Sequence, residues 1–350
     1  MTNHSLRRHA RLWLVQAAVA VALVIAAGLP LSSAPAYAEA AKPAAGAAAA
    51  DDATLLKYLQ TNPGDVRGRV SIPDAKSSLL IQPEGRAWRE LRNGAVSILG
   101  YVLILGILAV LVVFYLARGR IRIEAGFSGR KIVRFDGLER FTHWLTATSF
   151  VILGLSGLNM LYGRRLLLPI MSPDSFAAMT HYGKLAHNFL SFAFVVGLLL
   201  MIVLWVHRNF PDRADMAWLK AGGGMFSRGK HPAATKFNAG QKILFWLVVL
   251  CGIVIAITGY ILMFPFSVTD MAGMQSAQAV HAILALVMIA VIIAHIYIGT
   301  LGMEGAFDAM GTGEVDLNWA KEHHSLWLAE EQSRTSGAAA GAMPRAGAAE

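Results

Sequence analysis

Charge is scarce in this 350-residue chain and cysteine almost absent: 15% of residues are charged, 55% are hydrophobic, and Cys251 is the one cysteine. A soluble globular domain carries about a quarter charged residues, so this composition excludes an ordinary soluble protein. A lone cysteine cannot close an internal disulfide. The lack of any Cys-x-x-Cys pair excludes a cysteine zinc site, a chain-borne iron–sulfur cluster and covalent c-type haem. No phosphate-cradling glycine loop and no nucleophile motif occurs either. Asp, Glu, Lys and Arg are missing altogether from five long runs, 94–117, 141–162, 185–207, 243–266 and 279–303. Each run is long enough to cross a hydrocarbon core of about 30 Å.

The net charge of +9 gathers in short stretches between those runs, which is the pattern of membrane topology and not of nucleic-acid binding. At the front, Arg7, Arg8 and Arg11 precede an apolar stretch and then Ala36-Tyr37-Ala38, the small-residue pattern of signal cleavage. The expected organisation is a signal peptide over 1–38, with an uncleaved first helix as the alternative. An external segment follows over 39–93, with one short helix near 55–59, and then an extra transmembrane helix over 94–117. A basic loop over 118–140 leads into a four-helix domain over 141–303 and a tail over 304–350 whose Ala/Gly-rich end is expected to be disordered. The segments holding Arg118, Arg120, Arg122, Arg130, Lys131, Arg134 and Arg140, and then 208–242, are richest in basic residues and belong inside. The tail is therefore cytoplasmic and the mature N-terminus external, in a multi-pass protein of the bacterial inner membrane.

Histidine is what the apolar runs do contain. His281 and His295 lie fourteen residues apart, close to four helical turns, on nearly one face and roughly 21 Å apart along the axis. By depth, His143 matches His295 near the inner face and His187 matches His281 near the outer face. A single histidine at a span end is ordinarily interfacial, but two depth-matched pairs point to metal centres. Zinc gathers four ligands in one place, whereas these divide two and two, as two six-coordinate b haems require. Gly154, Gly157, Gly197, Gly252 and Gly259 could leave room for a flat macrocycle or serve plain helix packing. His181 ranks as a second-choice ligand from the outer connection, and His207 reads as interfacial. His231, His323 and His324 read as solvated.

Six segments then carry a family resemblance: FTHWLT (141–146), WVHRNFPD (205–212), KFNAGQK (236–242), VHAILA (280–285), AHIYIGT (294–300) and WAKEHH (319–324). The chain resembles the gamma subunit, a di-haem cytochrome b, of respiratory quinone-linked formate dehydrogenase, in a long form with an N-terminal extension. The resemblance implies an all-α membrane protein, a four-helix di-haem bundle plus one added transmembrane helix. It implies two haem b groups, held by His143 with His295 and by His187 with His281. Asn238, Gly240 and Gln241 would line a quinone site near the inner haem; Asn238 reads equally as a helix cap. An external iron–sulfur beta subunit would deliver electrons through both haems to quinone at the cytoplasmic side. Formate oxidation itself would belong to a molybdenum- or tungsten-containing alpha subunit. Membrane lipid is the further expected contact. Two alternatives stay open: a cytochrome b for nickel–iron hydrogenase or another molybdenum enzyme, and a haem-free proton-relay transporter or sensor.

Overall fold

The computed structural model describes residues 83–226 and 229–341, together with 57, 60 and 61. The expected leader, its cleavage site and most of the external segment lie outside the described residues. Helix α1 (Pro83–Leu91) runs through a π-helical stretch, Arg92–Val96, into α2 (Ser97–Arg118). Strand β1 (Lys131–Val133) precedes three elements: α3 (Gly137–Leu166), α4 (Pro173–Trp205) and the short α5 (Arg213–Lys220). Then come α6 (Ala239–Met263) and α7 (Met271–Tyr297). The chain closes with α8 (Asp308–Gly311), β2 (Glu314–Asp316), α9 (Leu317–His323) and α10 (Ser325–Gly341). Among the described residues, five helices are long and apolar enough to cross a membrane.

Their ends follow from local chemistry. Asp136 caps α3 with Glu139 in a reciprocal capping box, and Asn238 caps α6 with Gln241 in the same way. Ser172 caps α4 ahead of Pro173 at its first position, where the missing N–H costs nothing. That start precedes the expected apolar run by twelve residues, because a helix can begin on polar residues well before its apolar stretch. His181 therefore sits on α4, exposed, and not in a connection.

Helix α3 lies along α4, and α6 along α7, with α4 touching α6. Small residues set the closest approaches: a Cβ on Gly197 would come within 3.1 Å of the Thr146 backbone. The added helix α2 lines α7, with Gly100 pressed against Leu286 and Tyr162. The Tyr162 hydroxyl donates to Ser97 O at 2.8 Å, beside the π-helical stretch. Val102, Leu105, Val113 and Leu116 of α2 point outward, as apolar side chains facing lipid should.

A folded cap closes one end of this bundle. Strand β1 pairs antiparallel with β2, with Ile132 opposite Val315. Asp316 accepts from the Ser128 and Gly129 amides, and Glu322 from those of Glu124 and Ala125. Lys242, only 4% exposed, reaches Asp212 at 2.7 Å and Asp215 at 2.8 Å. The expected loop and tail thus pack largely as one structure, α10 runs to Gly341, and residues 342–350 lie outside the described residues.

Candidate functional site

Four histidines converge in two pairs along α7. His143 on α3 faces His295 with ring centroids 6.2 Å apart and planes at 61°. His187 on α4 faces His281 with centroids also 6.2 Å apart and planes at 57°. Two metal–imidazole bonds of about 2.0 Å each, plus roughly 1.1 Å from each ring nitrogen to its centroid, put axial ligands of one iron about 6.2 Å apart. Both pairs therefore fit a bis-imidazole haem site, one at the cap end and one at the far end.

The far-end pair has a complete set of second contacts. His281 Nδ1 lies 3.0 Å from Ile255 O and 3.2 Å from Thr258 Oγ1. Since a carbonyl can only accept, Nδ1 carries the proton and Nε2 keeps the lone pair an iron needs. His187 Nδ1 lies 2.9 Å from Ser156 Oγ, whose own hydrogen reaches Ile152 O at 2.7 Å. The hydroxyl is thus the acceptor, and His187 adopts the same tautomer. Glycines clear the space beside both rings: a Cβ would meet His281 Cε1 at 3.1 Å from Gly259, and His187 Cε1 at 3.6 Å from Gly157. Gly154 and Gly252 instead face Ile289 and Leu198, as helix contacts do.

At the cap end, His143 Nδ1 is buried without a protein partner. Polar groups here gather one turn away, in the cap. Glu139 accepts from Lys236 Nζ at 2.7 Å and from Trp205 Nε1 at 3.0 Å. Burial pulls the Lys236 ammonium below its usual pKa, and the Glu139 carboxylate opposes that shift. Asn238 Oδ1 accepts from Gln241 N at 2.9 Å and Gln241 Oε1 from Asn238 N at 3.0 Å. Capping occupies one oxygen of each amide and leaves both NH2 groups as donors. Gly240 lies beneath Trp218, where a Cβ would sit 3.0 Å from Cη2.

Two histidines are not where polarity alone would place them. His324, expected to be solvated, is 1% exposed, and His323 has a buried Nε2. Trp319 and Trp327 bury this stretch, although Lys321 and Glu322 make it read as polar. Burial, reinforced by the charge of Arg134, pushes His324 well below the usual imidazole pKa, so it is neutral. His231 is exposed and 3.1 Å from Glu124, and His207 lies exposed in a 3-10 turn, Val206–Arg208. Ser156 and Thr258 are functional candidates that sequence reasoning missed. Their signal was a hydroxyl inside an apolar run at the depth of a histidine.

Comparison with known proteins falls on this same region. The profile of the prokaryotic cytochrome b561 family matches residues 134–313, which hold all four histidines and both amides. The nitrate-inducible formate dehydrogenase cytochrome b556(Fdn) subunit of Escherichia coli K12 is 30% identical over 205 residues, 57% of this chain and 92% of that protein. The cytochrome b556(fdo) subunit of the same organism is 28% identical over 207 residues, covering 58% and 95%. The Haemophilus influenzae formate dehydrogenase cytochrome b556 subunit is 26% identical, covering 57% and 84%. The added helix α2 precedes the family match.

Proposed function

The chain belongs to the prokaryotic cytochrome b561 family, and from that premise we infer that it is the cytochrome b subunit of a formate dehydrogenase. It is a multi-pass membrane protein that carries haem b. Its partners are the other subunits of that enzyme. His143 with His295, and His187 with His281, each hold one haem; the equal 6.2 Å ring separations are the observation that carries this reading.

Haem b, when bound at both pairs, supplies one-electron transfer between an iron–sulfur subunit at the far end and quinone at the cap end. The residues of this chain do the positioning. Ile255 O, Thr258 and Ser156 hold the far-end imidazoles with Nε2 toward the iron. The NH2 groups of Asn238 and Gln241 donate to quinone carbonyls, and Gly240 lets the Trp218 indole pack against the head of α6 beside them. The cap end faces the cytoplasm, supported by the basic residues of 118–140 and 208–242. Protons for quinone thus come from the cytoplasm, while formate is oxidised by a molybdenum- or tungsten-containing subunit outside. The experiment is purification of the native complex with reduced-minus-oxidised spectroscopy. A b-type band with two haems per chain, copurifying with iron–sulfur and molybdenum or tungsten subunits, is expected. A nickel–iron large subunit would overturn the formate reading, and no b-type band would overturn the cytochrome.

A further inference from the structure

Among the described residues the segment that brings Asn238 to the head of α6 pairs with no strand, yet three successive carbonyls are held from outside it. Ala234 O accepts the amides of Leu326 at 3.1 Å and Trp327 at 3.3 Å. Thr235 O accepts from His324 Nδ1 at 2.8 Å, and Lys236 O accepts from Arg134 Nη2 at 2.6 Å. The two side chains also meet, Nη2 to Nε2 at 3.0 Å. A guanidinium is a donor only, so His324 Nε2 accepts and Nδ1 carries the proton, as the bond to Thr235 O requires. Arg134 is 3% exposed, and its guanidinium carbon lies 4.9–5.3 Å from the ring centroids of Phe135, Trp319 and Trp327.

We propose that Arg134 and His324 are positioning residues for quinone reduction, clasping residues 234–237 so that the Asn238 and Gln241 amides face the quinone in one orientation. The proposal rests on the quinone assignment above. Merely filling this space would be done as well by apolar side chains, which need no desolvated charge. What a guanidinium–imidazole pair adds is direction: Thr235 O and Lys236 O each meet one side-chain donor at one angle. Holding three consecutive carbonyls fixes the peptides up to Phe237 N, and the burial of Phe237 and the cap at Asn238 carry that position on to the head of α6. Neither side chain touches a haem-ligand histidine in the contacts described, so the clasp acts through the segment it grips.

The test uses the intact complex, with formate as donor and a short-chain quinone as acceptor. His324→Leu removes both bonds and is expected to raise the quinone KM about tenfold, with kcat held within about twofold. Haem content and formate-driven haem reduction should stay as in the parent. His324→Gln, which can still bridge Thr235 O and Arg134, should restore the KM. His324→Asn, too short to bridge, should not, and this pair carries the test if the leucine variant fails to assemble. Assembled variants whose quinone KM is unchanged would overturn the clasp. Asn238→Ala in the same assay separates the two readings. If it raises KM while the clasp variants do not, only the clasp falls; if it leaves KM unchanged, the quinone assignment falls with it.

Discussion

The two ends of α7 solve one problem in different ways. At the far end, His187 and His281 each have an Nδ1 partner drawn from the membrane helices themselves: Ser156, Thr258 and the Ile255 carbonyl. At the cap end, His143 Nδ1 has no protein partner, and the polar groups belong to an extramembrane cap one turn away. Nδ1 donation raises the electron density of an axial imidazole and favours the oxidised iron. Under the proposed function, a more strongly donating pair at the far end would suit an electron entry of lower potential, and the unpartnered His143 Nδ1 a higher potential at the cap end. The added helix α2 runs along α7 from Leu286 to Tyr297.

The largest test of that comparison removes a ligand. His281→Ala should cost the far-end haem alone, halving haem per chain in a pyridine haemochrome assay while the cap-end spectrum persists. His295→Ala should do the converse and also abolish quinone reduction. Loss of both haems from either change would mean that the two ends are not independent sites.

A smaller effect should confine itself to the cap. Burial pushes the His323 imidazole down to about 4, against a rise from Glu322 and with help from His231 and Arg134. His324 moves the same way. Both are neutral when folded, whereas an unfolded histidine takes up a proton near pH 6.5. The unfolded cap therefore binds more protons below that pH, and its stability falls as pH drops from about 6.5 toward 4. Hydrogen exchange at pH 7 and pH 5 should show the amides of Leu326 and Trp327 losing protection, while helix amides around His187 and His281 do not change. Equal loss at both ends would erase the distinction.

How much of this was legible in the sequence follows the same divide. Spacing on α7 and the depth of each run paired the same histidines whose rings face each other in the structure, because a helix fixes both angle and rise within one segment. The five spans were equally readable. The second contacts were not: whether Ser156 meets His187 depends on the register of α3 against α4, which no single segment encodes. The cap was hidden for another reason. Residues 119–135 and 303–328 are polar and far apart in sequence, and they fold together through backbone pairing and through Trp319 and Trp327. His324 read as solvated because its neighbours are charged, but the tryptophans on either side of it decide its burial. Asn238 read as either a cap or a quinone contact, and the structure shows the cap.

The finest test concerns the hydroxyls themselves. Ser156→Ala removes the hydroxyl acceptor of His187 Nδ1, leaves the Leu153 carbonyl to accept, and keeps the packing of α3 nearly unchanged. Thr258→Val removes a hydroxyl from His281, but the Ile255 carbonyl at 3.0 Å remains to accept. Each imidazole therefore keeps one backbone acceptor when its hydroxyl is removed. A lost hydrogen bond of about 1 kcal/mol, felt only by the oxidised state, corresponds to roughly 40 mV for one electron. Each change should raise the far-end midpoint potential by up to about that amount in a spectroelectrochemical titration. The cap-end potential should not move in either. Equal shifts at both ends would show that the hydroxyls act on the fold and not on the ligand. A downward shift at the far end would refute the claim that Nδ1 donation sets the order of the two sites.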